Sequence, residues 1–215
     1  MKFYESGDNR KPVIFLFPGT CCLYNSFDHV LDGLHSYFYT VAVSYDGFDP
    51  NEKTEFYSME DECEKIEQEI RTKYGGRIKA AYGCSLGGSF VSLLIQRKRI
   101  HIDHGIIGSS DMDEAGSFMA KLQSSIIVPI MYKMVHTGKL PKFTQNKINE
   151  ADESRKKLID GFVNMFGIDK GGSPWITKQS VYNQFYSDLV TKVQHGIDVP
   201  GTTIHVFYAT KMGEK

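Results

Sequence analysis

The stretch Arg77–Arg97, RIKAAYGCSLGGSFVSLLIQR, decides the fold. Arg77–Tyr82 reads as a strand and Phe90–Arg97 as a helix, and between them Gly83-Cys84-Ser85-Leu86-Gly87-Gly88 matches G-x-S-x-G. A serine on such a strand-to-helix turn is held in a strained backbone conformation. Glycine is needed at 83 and 87 because side chains there would collide with neighbouring backbone. The turn thrusts the Ser85 hydroxyl into a cleft and sets the Leu86 amide at a helix N-terminus, where unpaired N–H groups and the helix dipole favour a negative oxygen. Ser85 is therefore the candidate nucleophile.

Working outward, the rest of the N-terminal half alternates strand with helix. Pro12–Phe17 is a continuous apolar run closed by Pro18-Gly19, the pattern of a strand buried on both faces of a parallel sheet. Ser26 offers an N-cap to a helix over Ser26–Tyr37, and Thr40–Tyr45 is a second strand ended by Asp46-Gly47. Ser58, with Asp61 three residues on, caps a helix that Gly75-Gly76 ends. Ile102–Gly108 is a fourth strand running out into Ser109–Asp113. Such alternation predicts an α/β fold with a mostly parallel sheet, right-handed crossovers and helices on both faces.

Residues 114–198 break the pattern. They show helical periodicity over Phe118–Met134, Glu150–Phe166 and Gln179–Val193, and Pro129 should kink or split the first of these. Ser173-Pro174 predicts a capped helical turn around Trp175, the only tryptophan. Strand character returns at Thr202–Ala209. The expected organisation is a core of residues 1–113 and 199–215 with a helical cap inserted at 114–198.

Composition narrows the function classes. Lys+Arg total 25 against 26 Asp+Glu, so the formal charge of −1 offers no basic excess for a phosphate backbone and speaks against nucleic acid as a partner. The longest apolar runs fall well short of the roughly 20 residues that cross a bilayer, and no apolar signal core follows Met1, so neither export nor a membrane span is expected. Cys21, Cys22, Cys63 and Cys84 show no C-x-x-C spacing and read as reduced thiols of a cytoplasmic protein. His101 and His104 lack the further ligands of a zinc site, so neither metal nor cofactor is expected.

Phe17-Pro18-Gly19-Thr20-Cys21-Cys22 after the first strand, with the G-x-S-x-G turn about 65 residues later and a helical insertion beyond, resembles the α/β-hydrolase superfamily over nearly the whole chain. The resemblance implies a serine hydrolase acting on a small-molecule carboxylic ester or related acyl substrate through an acyl-enzyme on Ser85. The amide of Thr20, with that of Cys21 as the alternative, would join the Leu86 amide as oxyanion hole. Many relatives have His where this chain has Pro18. The family order of serine, acid, then histidine puts the acid at Glu214 or Asp111, with Asp113 behind them. It puts the histidine on a loop that none of His101, His104, His136, His195 or His205 occupies. A segment of roughly 30–50 residues after Lys215 is the expected source of that histidine, and without it the edge of the last strand would favour homo-oligomers. Met119, Leu122 and Met131, with Phe118, Ile126 and Met134, are candidates for an acyl-binding wall on the cap. The alternative function is a non-catalytic member of the same fold that binds a ligand or partner.

Mass spectrometry without reductant is expected to find all four cysteines free. A stoichiometric intramolecular disulfide would contradict the reading of a reducing compartment.

Overall fold

A computed structural model describes residues 1–110, 114–140 and 171–207, with residues 160, 161, 163, 166 and 168 between the last two stretches. Six strands form one sheet: β1 (Lys2–Ser6), β2 (Val13–Phe17), β3 (Tyr39–Ser44), β4 (Arg77–Cys84), β5 (His101–Gly108) and β6 (Thr203–Phe207). Their order is β1-β3-β2-β4-β5-β6, with β1 antiparallel to β3 and every other pair parallel. The helices are α1 (Asp28–His35), α2 (Met59–Tyr74), α3 (Leu86–Arg97), α4 (Ser117–Thr137) and α5 (Lys178–Val190).

The apolar run of β2 is buried on both sides, as a central parallel strand requires. Phe15 and Phe17 face one layer with Val41, Val43, Ile66, Ile70, Phe90 and Leu94, so α2 and α3 cover that face. Ile14 and Leu16 face the other, where Phe27 is buried and Leu31, Leu34 and Phe38 are packed beside it. The expected caps of α2 are both present. Ser58 Oγ accepts the Asp61 N–H at 3.1 Å, and Gly75 closes the helix at φ 64°.

Four details depart from the sequence reading. β1 has no clear sequence signal, yet it pairs with β3 through Lys2↔Ser44 to Ser6↔Thr40 and places Phe3 edge-on to Phe15. Ser26 does not cap α1, because Tyr24–Phe27 forms a 3-10 turn in front of it and Phe27 takes the cap position. α4 runs unbroken through Pro129, and the turn at Ser173-Pro174, closed by Ile176 N–H to Ser173 O at 3.1 Å, forms without the expected side-chain cap, since Ser173 Oγ has no hydrogen-bond partner among the described residues. The helix expected at Glu150–Phe166 lies mostly outside the described residues. Among those described, no helix is long and apolar enough to cross a membrane.

Buried charge ties the layers. Arg97 Nε on α3 donates to the buried Glu67 of α2 at 2.6 Å. Asp46, Asp61 and Glu62 converge closely enough to suggest a cation site, but Lys65 Nζ donates to all three at 2.5, 2.5 and 3.0 Å, so an ammonium already fills it. Burial, with Asp46 nearby, pushes the Glu62 carboxyl up to about 7.

That value exceeds the roughly 4.3 of an unfolded-chain glutamate, so the folded protein binds this proton more tightly. The stability it contributes is present in full at low pH and is lost as pH rises from about 4.5 to about 7. Whatever constant offset Glu62→Gln introduces, its melting temperature relative to wild type should rise between pH 5 and pH 8. A difference that stays flat across that range would refute the assignment.

Candidate functional site

The site lies at the C-terminal ends of β2, β4 and β5, where parallel sheets collect loops. Phe17 pairs with Gly83 across β2 and β4, so the Pro18–Cys22 turn and the G-x-S-x-G turn leave the sheet side by side. Their contact is backbone on backbone. A Cβ on Gly83 would lie 1.9 Å from Gly87 O, one on Gly87 would lie 2.1 Å from Phe17 O, and one on Gly19 would lie 3.6 Å from Ser85 Cβ. Only glycine permits that approach at 83 and 87.

Ser85 takes φ 53° and ψ −125°, outside the helical and extended regions, a conformation costing on the order of 1–3 kcal/mol. Its own N–H is tied to Gly108 O of β5 at 2.9 Å. The side chain is exposed, while Gly83, Leu86 and Gly87 around it are buried. No side chain among the described residues hydrogen-bonds the Ser85 hydroxyl. Leu86 is the first residue of α3, so its N–H is one of the helix's unpaired donors.

The Thr20–Cys22 turn supplies the facing donors. Cys22 N–H bonds Gly19 O at 3.0 Å and Cys21 N–H bonds the Gln184 side chain at 2.7 Å, whereas Thr20 N–H has no partner among the described residues. Of the two amides weighed for the oxyanion, the Cys21 donor is thus committed elsewhere. Cys21 sits at φ 60°, a conformation that costs a non-glycine residue roughly 1–2 kcal/mol. The buried Tyr45 hydroxyl donates to Pro18 O at 3.2 Å and stacks on Phe90 at 4.8 Å, pinning the start of the turn. Gln184 and Tyr45 carry no motif and escaped the sequence reading.

The neighbouring thiols are poor nucleophiles. Burial pushes Cys22 up to about 12 and raises Cys84, so both stay protonated near neutral pH. All four cysteines are free thiols in the structure.

The remaining sequence candidates fall in different places. Asp111, Asp113 and Glu214 lie outside the described residues, though Ser110, just before Asp111, reaches the start of α3 through Ser89 Oγ at 3.3 Å. Met119 and Leu122 are each 47% exposed on α4, and Met131 packs against the core. His136 lies 3.3 Å from Ile176 O, His104 and His205 contact each other at 3.3 Å, His101 meets Asp103, and His195 is exposed. On the α1 side of the sheet a groove of about 420 Å³ is walled by Leu16, Phe27, Val30, Tyr82 and Cys84, with Gly19 and His29 also on its wall. His29 precedes the elbow in the chain, outside the order serine, acid, histidine.

No family model and no curated protein matches the sequence. Solved structures do match in three dimensions. An alpha/beta hydrolase family protein from Desulfitobacterium hafniense is 14% identical, with 96% of this chain and 90% of that one covered at a TM-score of 0.68. A structure reported with activity profiles of carboxylesterases from Nitrososphaera gargenis is 15% identical, covering 96% and 75% at 0.69. MenH from S. aureus is 9% identical, covering 97% and 90% at 0.68. Because these matches cover 96–97% of the chain at TM-scores of 0.68–0.69, and the sheet is mostly parallel with helices on both faces, the chain has the α/β-hydrolase fold.

Proposed function

We propose that the protein is a serine hydrolase that cleaves a carboxylic ester or related acyl compound through an acyl-enzyme on Ser85. A fold alone selects no reaction. The observation that carries the reading is the elbow itself: an exposed serine hydroxyl at positive φ, at the N-terminus of α3 and beside a turn with one uncommitted amide. A protein that only bound a ligand would have no use for that strain.

In this mechanism Ser85 Oγ adds to the substrate carbonyl carbon while a histidine takes the hydroxyl proton. The N–H groups of Thr20 and Leu86 receive the oxyanion, in the role where removing one donor typically costs about 10²–10³ in rate. Collapse of the tetrahedral intermediate expels the alcohol, which leaves with that proton, and water repeats the sequence to release the acid and restore Ser85. Glu214 or Asp111 orients the histidine: they follow β6 and β5 in the chain, two adjacent strands that run parallel to the elbow strand β4. No described histidine hydrogen-bonds Ser85, so the base is the part of this machinery that the described residues leave open. Residues 114–198 serve as a cap over the core, with Met119, Leu122 and Met131 offering it apolar surface.

Hydrolysis of p-nitrophenyl acetate by the purified protein tests the proposal. Ser85→Ala is expected to lower kcat by at least about 10³-fold with an unchanged melting temperature, and a fluorophosphonate should label the peptide containing Ser85. Wild-type turnover in the alanine variant would exclude Ser85 as nucleophile.

A further inference from the structure

The turn that carries Thr20 is held from the far side of the sequence. Gln184 on α5 is fully buried, and its Oε1 accepts the Cys21 N–H at 2.7 Å across 163 residues. Cys21 is equally buried and sits in the left-handed region, which an ordinary side chain leaves unless something holds it. Without Gln184 the Cys21 amide would be a buried donor with no partner, and the turn would be driven to rearrange to satisfy it.

The other end of the Gln184 amide points to the same role. With Oε1 committed to an N–H, the amide cannot be flipped without losing that bond, which fixes Nε2 as the opposite terminus. Nε2 is buried with no hydrogen-bond partner among the described residues. A glutamine kept for its polarity in general would use both ends. This one is kept for its acceptor.

The helix that presents it is anchored independently. Asn183 Nδ2 donates to Phe56 O at 2.8 Å, and Ser180 Oγ accepts the Phe56 N–H at 3.3 Å. A Cβ on Gly47 would lie 2.3 Å from Ser180 Oγ, so α5 is packed hard on the loop after β3. Its register is thus set before Gln184 reaches the turn.

We propose that Gln184 is the positioning residue of the oxyanion site: from the inserted helix it fixes Cys21 in the left-handed conformation and takes its amide, leaving Thr20 N–H as the donor of that turn. The inference rests on the reading of Ser85 as an acyl-transfer nucleophile. Gln184 itself touches no reacting atom.

The test exploits the conformation at residue 21. Glycine adopts φ near 60° without help, so a role exerted through Cys21 should be relieved by Cys21→Gly, whereas a general loosening of α5 should not. Gln184→Leu is expected to lower kcat and kcat/KM together by roughly 10- to 100-fold, leaving KM within threefold. The double variant Cys21→Gly/Gln184→Leu is expected to return to within about threefold of Cys21→Gly alone. Gln184→Met serves if the leucine variant does not fold, and the rate constant of fluorophosphonate labelling reads only the folded fraction. A Gln184→Leu or Gln184→Met protein within threefold of wild type, or a loss that glycine at 21 does not recover, would overturn the assignment while Ser85 still labels. A wild-type protein with no Ser85-dependent turnover or labelling would instead remove the hydrolase reading and this inference with it.

Discussion

The structure turns on a place where two stretches of backbone touch with no side chain between them. The last residue of β2 and the first turn of α3 approach so closely that a methyl group on Gly87 would sit 2.1 Å from Phe17 O. That contact sets the tilt of α3 on the sheet, brings Gly19 against Ser85, and points the open end of the helix at the Thr20–Cys22 turn. The side chains behind it hold the arrangement. Phe17, Tyr45 and Phe90 stack as one column, and Tyr45 alone spends its hydroxyl on the turn. Strain at Ser85 and Cys21 persists because each backbone N–H is held from outside its own turn, that of Ser85 by Gly108 O and that of Cys21 by Gln184.

The two faces of the sheet contribute unequally. The face under α2 and α3 holds the larger core and the buried Glu67 paired with Arg97. The face under α1 holds the smaller cluster and the apolar groove that Gly19 and Cys84 help to wall. The candidate site sits where the faces meet, at the C-terminal ends of the central strands. It draws rigidity from one and opens beside the other.

Most of this was legible in the sequence wherever the signal is local. The buried strands of the parallel sheet, the Ser58 and Gly75 caps and the serine turn each announce themselves within ten residues. Short edges and competing local contacts were not. β1 is a five-residue edge strand whose pairing partner lies beyond β2, and Tyr24 stacks on Tyr4 at 3.6 Å in the turn that displaces the expected cap at Ser26. Pro129 removes one N–H from α4 and could have ended it, but Val128 and Val135 are buried and Met131 packs on the core, so tertiary contacts keep the helix whole. Gln184 was invisible for another reason. A glutamine within a helix looks like any polar-face residue, and its meaning depends on an amide 163 positions away.

The same separation has a consequence for the order in which the molecule becomes itself. Contacts between residues far apart in sequence close late, after local helices and neighbouring strands have formed. During synthesis the N-terminal elements emerge first, so β1 to β5 and the serine turn exist as chain well before α5 is made. The sheet can therefore be built while the turn at Thr20–Cys22 still lacks its anchor. Trp175, the single tryptophan, belongs to the late set, because its indole N–H reaches back to Phe48 O at 3.4 Å. Its environment changes only when that late contact with the loop after β3 closes, whereas far-ultraviolet circular dichroism follows the earlier scaffold.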